Sequence, residues 1–210
     1  MKVVILNGSP KVSHGASWKI SVALSKLIDG FPDTSAQVLN SSGLLIEDLV
    51  KHLAQSEALV TVLPLYVDSL PSHLIEILEG IGRTELKNRL TFYAVLNCGY
   101  WEAEHNTLAL EMLKNFCLQS NLGWGQGLAC GGGGMIPSVS RLDRFPFKGF
   151  YGELKSLASN VVSLTSVPDR YCQPSLPRFL YKTAANLMFY SLALKNKVKF
   201  RDLYRTNIVD

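Results

Sequence analysis

The four cysteines of this 210-residue chain, Cys98, Cys117, Cys130 and Cys172, stand far apart and form no C-x-x-C pair. Neither a zinc site nor a disulfide framework is legible, and a reducing cytoplasm is the expected setting. Charge is also sparse, at 18%, against 47% hydrophobic residues. That ratio excludes extensive disorder and leaves ample side chains for a sizeable core. Histidines number four, and no cluster of His, Asp or Glu marks a metal centre or an acid–base pair. No apolar run is long enough to cross a membrane: the C-terminal candidate covers about 16 residues and contains Lys182. An apolar stretch already begins at Val3, so no signal or transit peptide is expected. No internal repeat is visible, and 210 residues suit one α/β domain with an extension.

The net charge of +4 is unevenly placed. From Arg170 onward there are eight Lys/Arg against two Asp, leaving 13 basic and 15 acidic residues in the rest. Basicity therefore belongs to a C-terminal segment and not to a general nucleic-acid surface. No zinc finger or aromatic-and-basic RNA motif accompanies it, and no nucleic-acid partner is expected.

What is present is concentrated at the N-terminus. Val3 to Leu6 form a short apolar run of the kind that becomes a strand buried on both faces. Asn7-Gly8-Ser9-Pro10 stops it. After a loop rich in hydroxyls and glycine, Ile20, Ala23, Leu24, Leu27 and Ile28 return at helical spacing. A strand, a hydroxyl-rich loop and a helix start make a phosphate cradle, because the first helix amides lack internal partners and carry the positive end of the helix dipole. Ser9, Ser13 and Ser17 add hydroxyls and Lys11 a full charge. The plainer alternative is an ordinary turn with Ser17 as N-cap. No Gly-Lys-Ser/Thr closes a P-loop, and Gly8 lacks the offsets of a dinucleotide fingerprint.

The chain then alternates. Strands are expected at Ala36 to Leu39, Ala58 to Leu63, Thr91 to Leu96 and Trp124 to Cys130. Helices are expected at Leu44 to Leu53, Ser72 to Ile81, Glu104 to Asn121 and Gly149 to Leu164. Five apolar strands alternating with helices predict a parallel sheet covered on both faces, a three-layer α/β sandwich. A ligand site then lies beyond the carboxyl ends of the strands, where the loops 7–18, 64–71, 97–101 and 131–138 converge.

These loops resemble the flavodoxin-like NAD(P)H-dependent FMN reductase and quinone reductase family. "KVVILNGSPK" is similar to the family's strand plus Gly-Ser-Pro-Arg/Lys turn, "HGAS" to its Gly-Asn-Thr/Ser entry into the first helix, and "ALVTVLPLYVDSLPSHLIEILE" to its strand, Pro-x-Tyr and following helix. The resemblance covers roughly residues 1–165. It implies a flavodoxin-like sandwich with a five-stranded parallel sheet of order 2-1-3-4-5, and residues 166–210 as a basic, partly helical extension. It also implies FMN as cofactor, NAD(P)H as co-substrate, a small-molecule electron acceptor, and a homodimer or homotetramer. By position, Ser9, Lys11, Ser17 and Trp18 would lie around the FMN phosphate. Pro64, Leu65, Tyr66 and Val67 would wrap the ring, and Asn97, Cys98, Gly99 and Tyr100 would form its second wall. His14, Ala16 and Lys11 depart from the commoner phosphate-loop residues. The compact cysteine cluster of the iron–sulfur relatives is absent, so no cluster or other metal is expected.

Each of these residues also has a plainer reading. Tyr66, Tyr100 and Trp101 stack on a ring or simply pack loops. Asn97 caps its turn or donates to the ring. Cys98 reads as a buried, inert thiol, and His73 and His105 as solvent-facing. The run Gly131 to Gly134 allows close backbone approach to a ligand or partner, or is a loosely held loop. The C-terminal apolar stretch Phe179 to Leu194, followed by Lys195, Lys197, Lys199 and Arg201, reads first as a helix packing on the domain or a second subunit. Peripheral contact with anionic lipid is the lesser alternative. Three functions stay open: an FMN-dependent oxidoreductase passing hydride from NAD(P)H to a quinone, flavin or similar acceptor; a flavodoxin-type carrier, disfavoured by a pI of 8.8; and a flavodoxin-fold interaction module without catalysis.

Overall fold

The computed structural model describes residues 1–84 and 90–204. A compact unit runs from Met1 to Ser175, and a second from Leu176 to Asp210. In the first, β1 (Lys2–Asn7), β2 (Ser35–Asn40), β3 (Ala58–Pro64), β4 (Thr91–Asn97), β5 (Gly123–Cys130) and β6 (Arg170–Cys172) make one sheet. The helices α1 (Ala16–Ile28), α2 (Ile46–Leu53), α3 (Ser72–Gly82), α4 (Thr107–Gln119) and α5 (Lys148–Val162) alternate with the strands. The second unit contributes α6 (Arg178–Lys195) and a short 3-10 turn at Phe200–Tyr204.

Every strand pair is parallel, and the order is β2-β1-β3-β4-β5-β6. Successive side chains leave a strand on opposite faces. Val4 and Leu6 therefore join Leu59, Leu63, Phe92 and Leu96 beneath α2, α3 and α4. Val3 and Ile5 join Val60, Val62, Tyr93 and Val95 beneath α1 and α5. Two apolar layers sandwich the sheet, which is why β1, β3 and β4 read as continuous apolar runs and not as alternating ones.

The sheet has six strands where five were expected. The sixth lies beyond residue 165, in the stretch assigned to the C-terminal extension. It is three residues of mixed character, Arg170, Tyr171 and Cys172, paired with Leu128, Ala129 and Cys130. An edge strand needs ladder bonds on one side only and no apolar run, so its composition carries no strand signal. Asp169 secures its approach: the carboxylate accepts from the Gly127 amide at 2.8 Å and Trp124 Nε1 at 3.2 Å, and meets Lys114 Nζ at 2.8 Å. The Asp169 carboxylate, and after it that of Glu111, holds the pKa of the Lys114 ammonium well above its usual value.

Candidate functional site

The strands β3, β4 and β5 end at the same level, and β1 ends two residues earlier. Pro64 pairs with Asn97 and Asn97 with Cys130, while Asn7 pairs with Val62. The loops after them emerge together on the carboxyl edge. β1 stands between β2 and β3, so consecutive strands diverge on either side of it, the switch point where open α/β sheets place ligands.

The loop after β1 is held by its own short side chains. The Gly8 amide donates to Val62 O at 2.8 Å, the Ser9 amide to Asn7 Oδ1 at 3.3 Å, and the Lys11 amide to Ser9 Oγ at 3.2 Å. Ser9 is buried, whereas Lys11 and His14 are exposed. Helix α1 begins at Ala16 with Gly15 as N-cap, so Ser17 is the second helical residue and not the cap. No side chain caps this 13-residue helix, and its first turn carries no acid. An added Cβ on the buried Gly15 would lie 3.4 Å from Lys11 Cβ and 3.7 Å from Ser9 Oγ, ordinary van der Waals contact, so the helix start sits directly against the loop. Trp18, half-buried, lines an adjoining open cavity of about 310 Å³ with Ser13, His14, Lys19 and Pro137. Lys19 Nζ donates to the carbonyls of Ile136 and Val139, joining α1 to the loop after β5.

Asn97 ties the loops together. Its Nδ2 donates to Ser17 Oγ at 3.0 Å and to Leu63 O at 2.9 Å, and its carbonyl accepts the Leu65 amide at 2.9 Å. It is a cross-brace, not the local turn cap read as its plainer role. Because Ser17 accepts from Asn97, the Ser17 hydroxyl proton is left to be donated.

Pro64 and Leu65 are half-buried, Tyr66 is exposed, and Val67 is almost wholly exposed. Tyr66 and Ser69 exchange both backbone hydrogen bonds at 3.0 Å around Val67 and Asp68, whose φ values are 49° and 57°. Two positive φ angles make a primed hairpin turn, here without the Asn-Gly such turns prefer. A β-branched residue in that region is strained.

In the opposite loop Cys98 is buried, and Gly99 and Tyr100 are exposed. The Cys98 thiol points at the carbonyls of Tyr100, at 3.7 Å, and Glu102, at 3.4 Å, and burial pushes its pKa up. It is buried, as expected, and turned toward backbone carbonyls. Tyr100 stacks on His105 with ring centroids 3.9 Å apart. His73, expected to face solvent, is half-buried and bonded to Ser41 Oγ at 3.0 Å.

The glycine run has a structural duty that composition alone left open. The Gly131 amide donates to the Cys172 carbonyl of β6, and Gly132 and Gly133 fold back on the loop after β4, their amides donating to the carbonyls of Tyr100 and Cys98. An added Cβ on Gly131 would run into the Trp101 carbonyl oxygen, and one on Gly133 would come within 2.8 Å of Asn97 Oδ1. The closest approach is to backbone at Gly131 and to the Asn97 side chain at Gly133. A six-residue 3-10 turn, Gly133–Ser138, follows.

The architecture defines a flavodoxin-like fold, and comparison with solved structures agrees. An FMN-dependent NADH-azoreductase from Bacillus anthracis, solved with FMN, superposes with a TM-score of 0.57 at 13% identity, over 76% of this chain and 98% of that one. An NADH:FMN oxidoreductase in its apo form gives 0.60 at 14% identity, over 79% and 90%. A Streptococcus pneumoniae flavodoxin gives 0.58 at 12% identity, over 79% and 100%. No protein-family profile matches the chain, and no curated protein sequence does.

Proposed function

We propose that this protein is an FMN-dependent oxidoreductase that takes hydride from NAD(P)H and passes it to a quinone, flavin or similar small acceptor. The observation that carries the reading is the Asn97 brace, which joins the start of α1 to the ends of β3 and β4 at the switch point. The donor set fits a phosphate monoester. The uncapped first turn of α1 offers amides and dipole, Ser17 has a hydroxyl proton to donate, Ser9 and Ser13 stand in the same loop, and Lys11 supplies charge at the rim. The flanking walls fit a flat ring: Tyr66 and Tyr100 are exposed, and an added Cβ on Gly99 would meet nothing within 4 Å.

FMN, when bound, would supply the hydride- and electron-transfer chemistry. The protein's share is positioning. Ser9, Lys11, Ser17 and the amides of α1 would anchor the phosphate. Pro64 to Val67 and Asn97 to Tyr100 would hold the ring by backbone groups and flank it with aromatics. Cys98, protonated and turned toward carbonyls, takes no electrons. The fold likeness to both reductases and a flavodoxin supports flavin use in either role, and the basic pI favours the reductase over a carrier.

The test is an absorption spectrum of the protein mixed with FMN, before and after anaerobic NADPH or NADH. A bound flavin that bleaches supports the proposal. A flavin that binds but ignores both nucleotides indicates a carrier, and a protein that binds no FMN overturns flavin chemistry altogether.

A further inference from the structure

Helices α1 to α5 each bury between two and five side chains, whereas α6 buries none among its described residues. Its exposed side chains are nevertheless large and apolar: Phe179, Leu180, Leu187, Met188, Phe189, Leu192 and Leu194, with Leu194 at 73% and Phe179 at 68% exposure. At 100° per residue these fall on two sides of the helix. Phe179, Leu180, Leu187 and Leu194 share one side; Met188, Phe189 and Leu192 share the other. Between Leu176 and Arg201 there are six Lys/Arg and no Asp or Glu, and Lys195, Lys197, Lys199 and Arg201 crowd the C-terminal end.

We propose that this segment is an interfacial anchor that binds the surface of an anionic lipid bilayer. Three properties of α6 select that occupant. First, a helix seated at the boundary of headgroups and acyl chains turns an apolar side, here Phe179, Leu180, Leu187 and Leu194, to the acyl chains while its lysines reach back toward the phosphates. Second, the charge is of one sign. A second copy of the chain would set like charges together wherever the two basic ends met, while an anionic leaflet neutralises them. Third, the uncharged stretch from Thr183 to Leu194 is twelve residues. A helix of that length spans about 18 Å, against about 30 Å for a bilayer core. None of the described helices is long and apolar enough to cross a membrane. The segment therefore lies in the interface, with the basic run beside the headgroups.

The proposal does not depend on flavin binding, and neither does its test. The full chain is sedimented with vesicles of phosphatidylcholine alone and of phosphatidylcholine with phosphatidylglycerol. Binding is expected only to the anionic vesicles, and raising salt from about 50 mM to about 500 mM should weaken it as the charges are screened. Replacing the three lysines (K195Q/K197Q/K199Q) should lower the partition coefficient on the order of a hundredfold. Phe179→Trp should show blue-shifted emission on anionic vesicles and quenching by brominated acyl chains, a readout of insertion that simple electrostatic adhesion would not move. Failure to sediment with millimolar anionic lipid overturns the proposal, as does equal binding to both vesicle types. A concentration-dependent dimer dispersed by Leu187→Glu, with no response to lipid, would assign α6 to a second copy instead.

Discussion

Asn97 and Ser17, 80 residues apart in the chain, are joined side chain to side chain at 3.0 Å, and the same Asn97 nitrogen holds Leu63 O at 2.9 Å. Both residues are buried, at 4% and 1% exposure. One amide thus sets the distance between the proposed phosphate cradle and the proposed ring slot. Replacing it by Asn97→Ala leaves Leu63 O and Ser17 without their partner and should cost about 1–3 kcal/mol of stability. FMN affinity should fall at least about tenfold, as the cradle and slot lose their register. Urea unfolding and flavin-fluorescence titration of the same variant measure the two effects. An unfolding loss with unchanged FMN affinity would confine Asn97 to the scaffold.

Lys11 offers the complementary case. Its side chain is exposed, and its backbone amide donates to Ser9 Oγ. Lys11→Ala should leave the unfolding free energy within about 0.5 kcal/mol of the parent. It should weaken FMN binding several-fold at low salt and less at high salt, because an exposed charge is screened. Equal affinity for FMN and riboflavin in the parent protein would remove the phosphate from the account.

The Val67–Asp68 turn carries two positive φ angles on residues with poor tolerance for them. Substituting Asn-Gly, the pair that primed hairpin turns prefer, should raise stability by about 1–2 kcal/mol. Thermal unfolding reads this directly. A neutral or destabilising outcome would mean that the Val67 side chain, exposed as it is, does more than tolerate its backbone.

Burial keeps the thiols protonated. It raises Cys172 to about 11 and Cys117 to about 12, and pushes Cys130 well above its ordinary value. In the unfolded chain a thiol ionises near pH 8.5. Their stabilising contribution is therefore complete below about pH 8.5 and is lost as pH rises toward 11–12. Stability should decline between pH 8.5 and 11 by on the order of 1 kcal/mol per buried thiol per pH unit. Cys117→Ala should make that decline shallower, as measured by urea midpoints under reductant. Identical slopes in variant and parent would refute the assignment.

Gly131→Ala should be among the most damaging single changes, because the new methyl group meets the backbone oxygen of Trp101 and neither partner is a flexible side-chain tip. A loss above about 3 kcal/mol is expected, through forced separation of the β4 and β5 loops. Gly134→Ala, where an added Cβ meets nothing within 4 Å, is the internal control and should be nearly silent.

The run Val3 to Leu6 and its counterpart Ala58 to Leu63 were legible as fully buried strands because the two apolar layers demand an apolar residue at every position. Helical spacing placed α1, α3 and α5 within a few residues of their bounds, and alternation with the strands implied parallel pairing. That much follows from local periodicity, since each element displays its own environment in its residue types. The convergence of the loops was also implied, because parallel strands must all end on one edge.

Only the tertiary structure decided the rest. The strand Arg170 to Cys172 owes its state to β5 beside it and to the Asp169 carboxylate, neither visible in three residues of mixed character. The braces from Asn97 to Ser17 and from His73 to Ser41 span 80 and 32 residues, beyond any local pattern. The glycines at 131 and 133 are required by distant neighbours, the Trp101 carbonyl and the Asn97 side chain, which no local pattern displays. Sequence dictates what each segment is able to become. Contacts between distant segments determine which of those options is stable, because their energy exists only after the chain has closed.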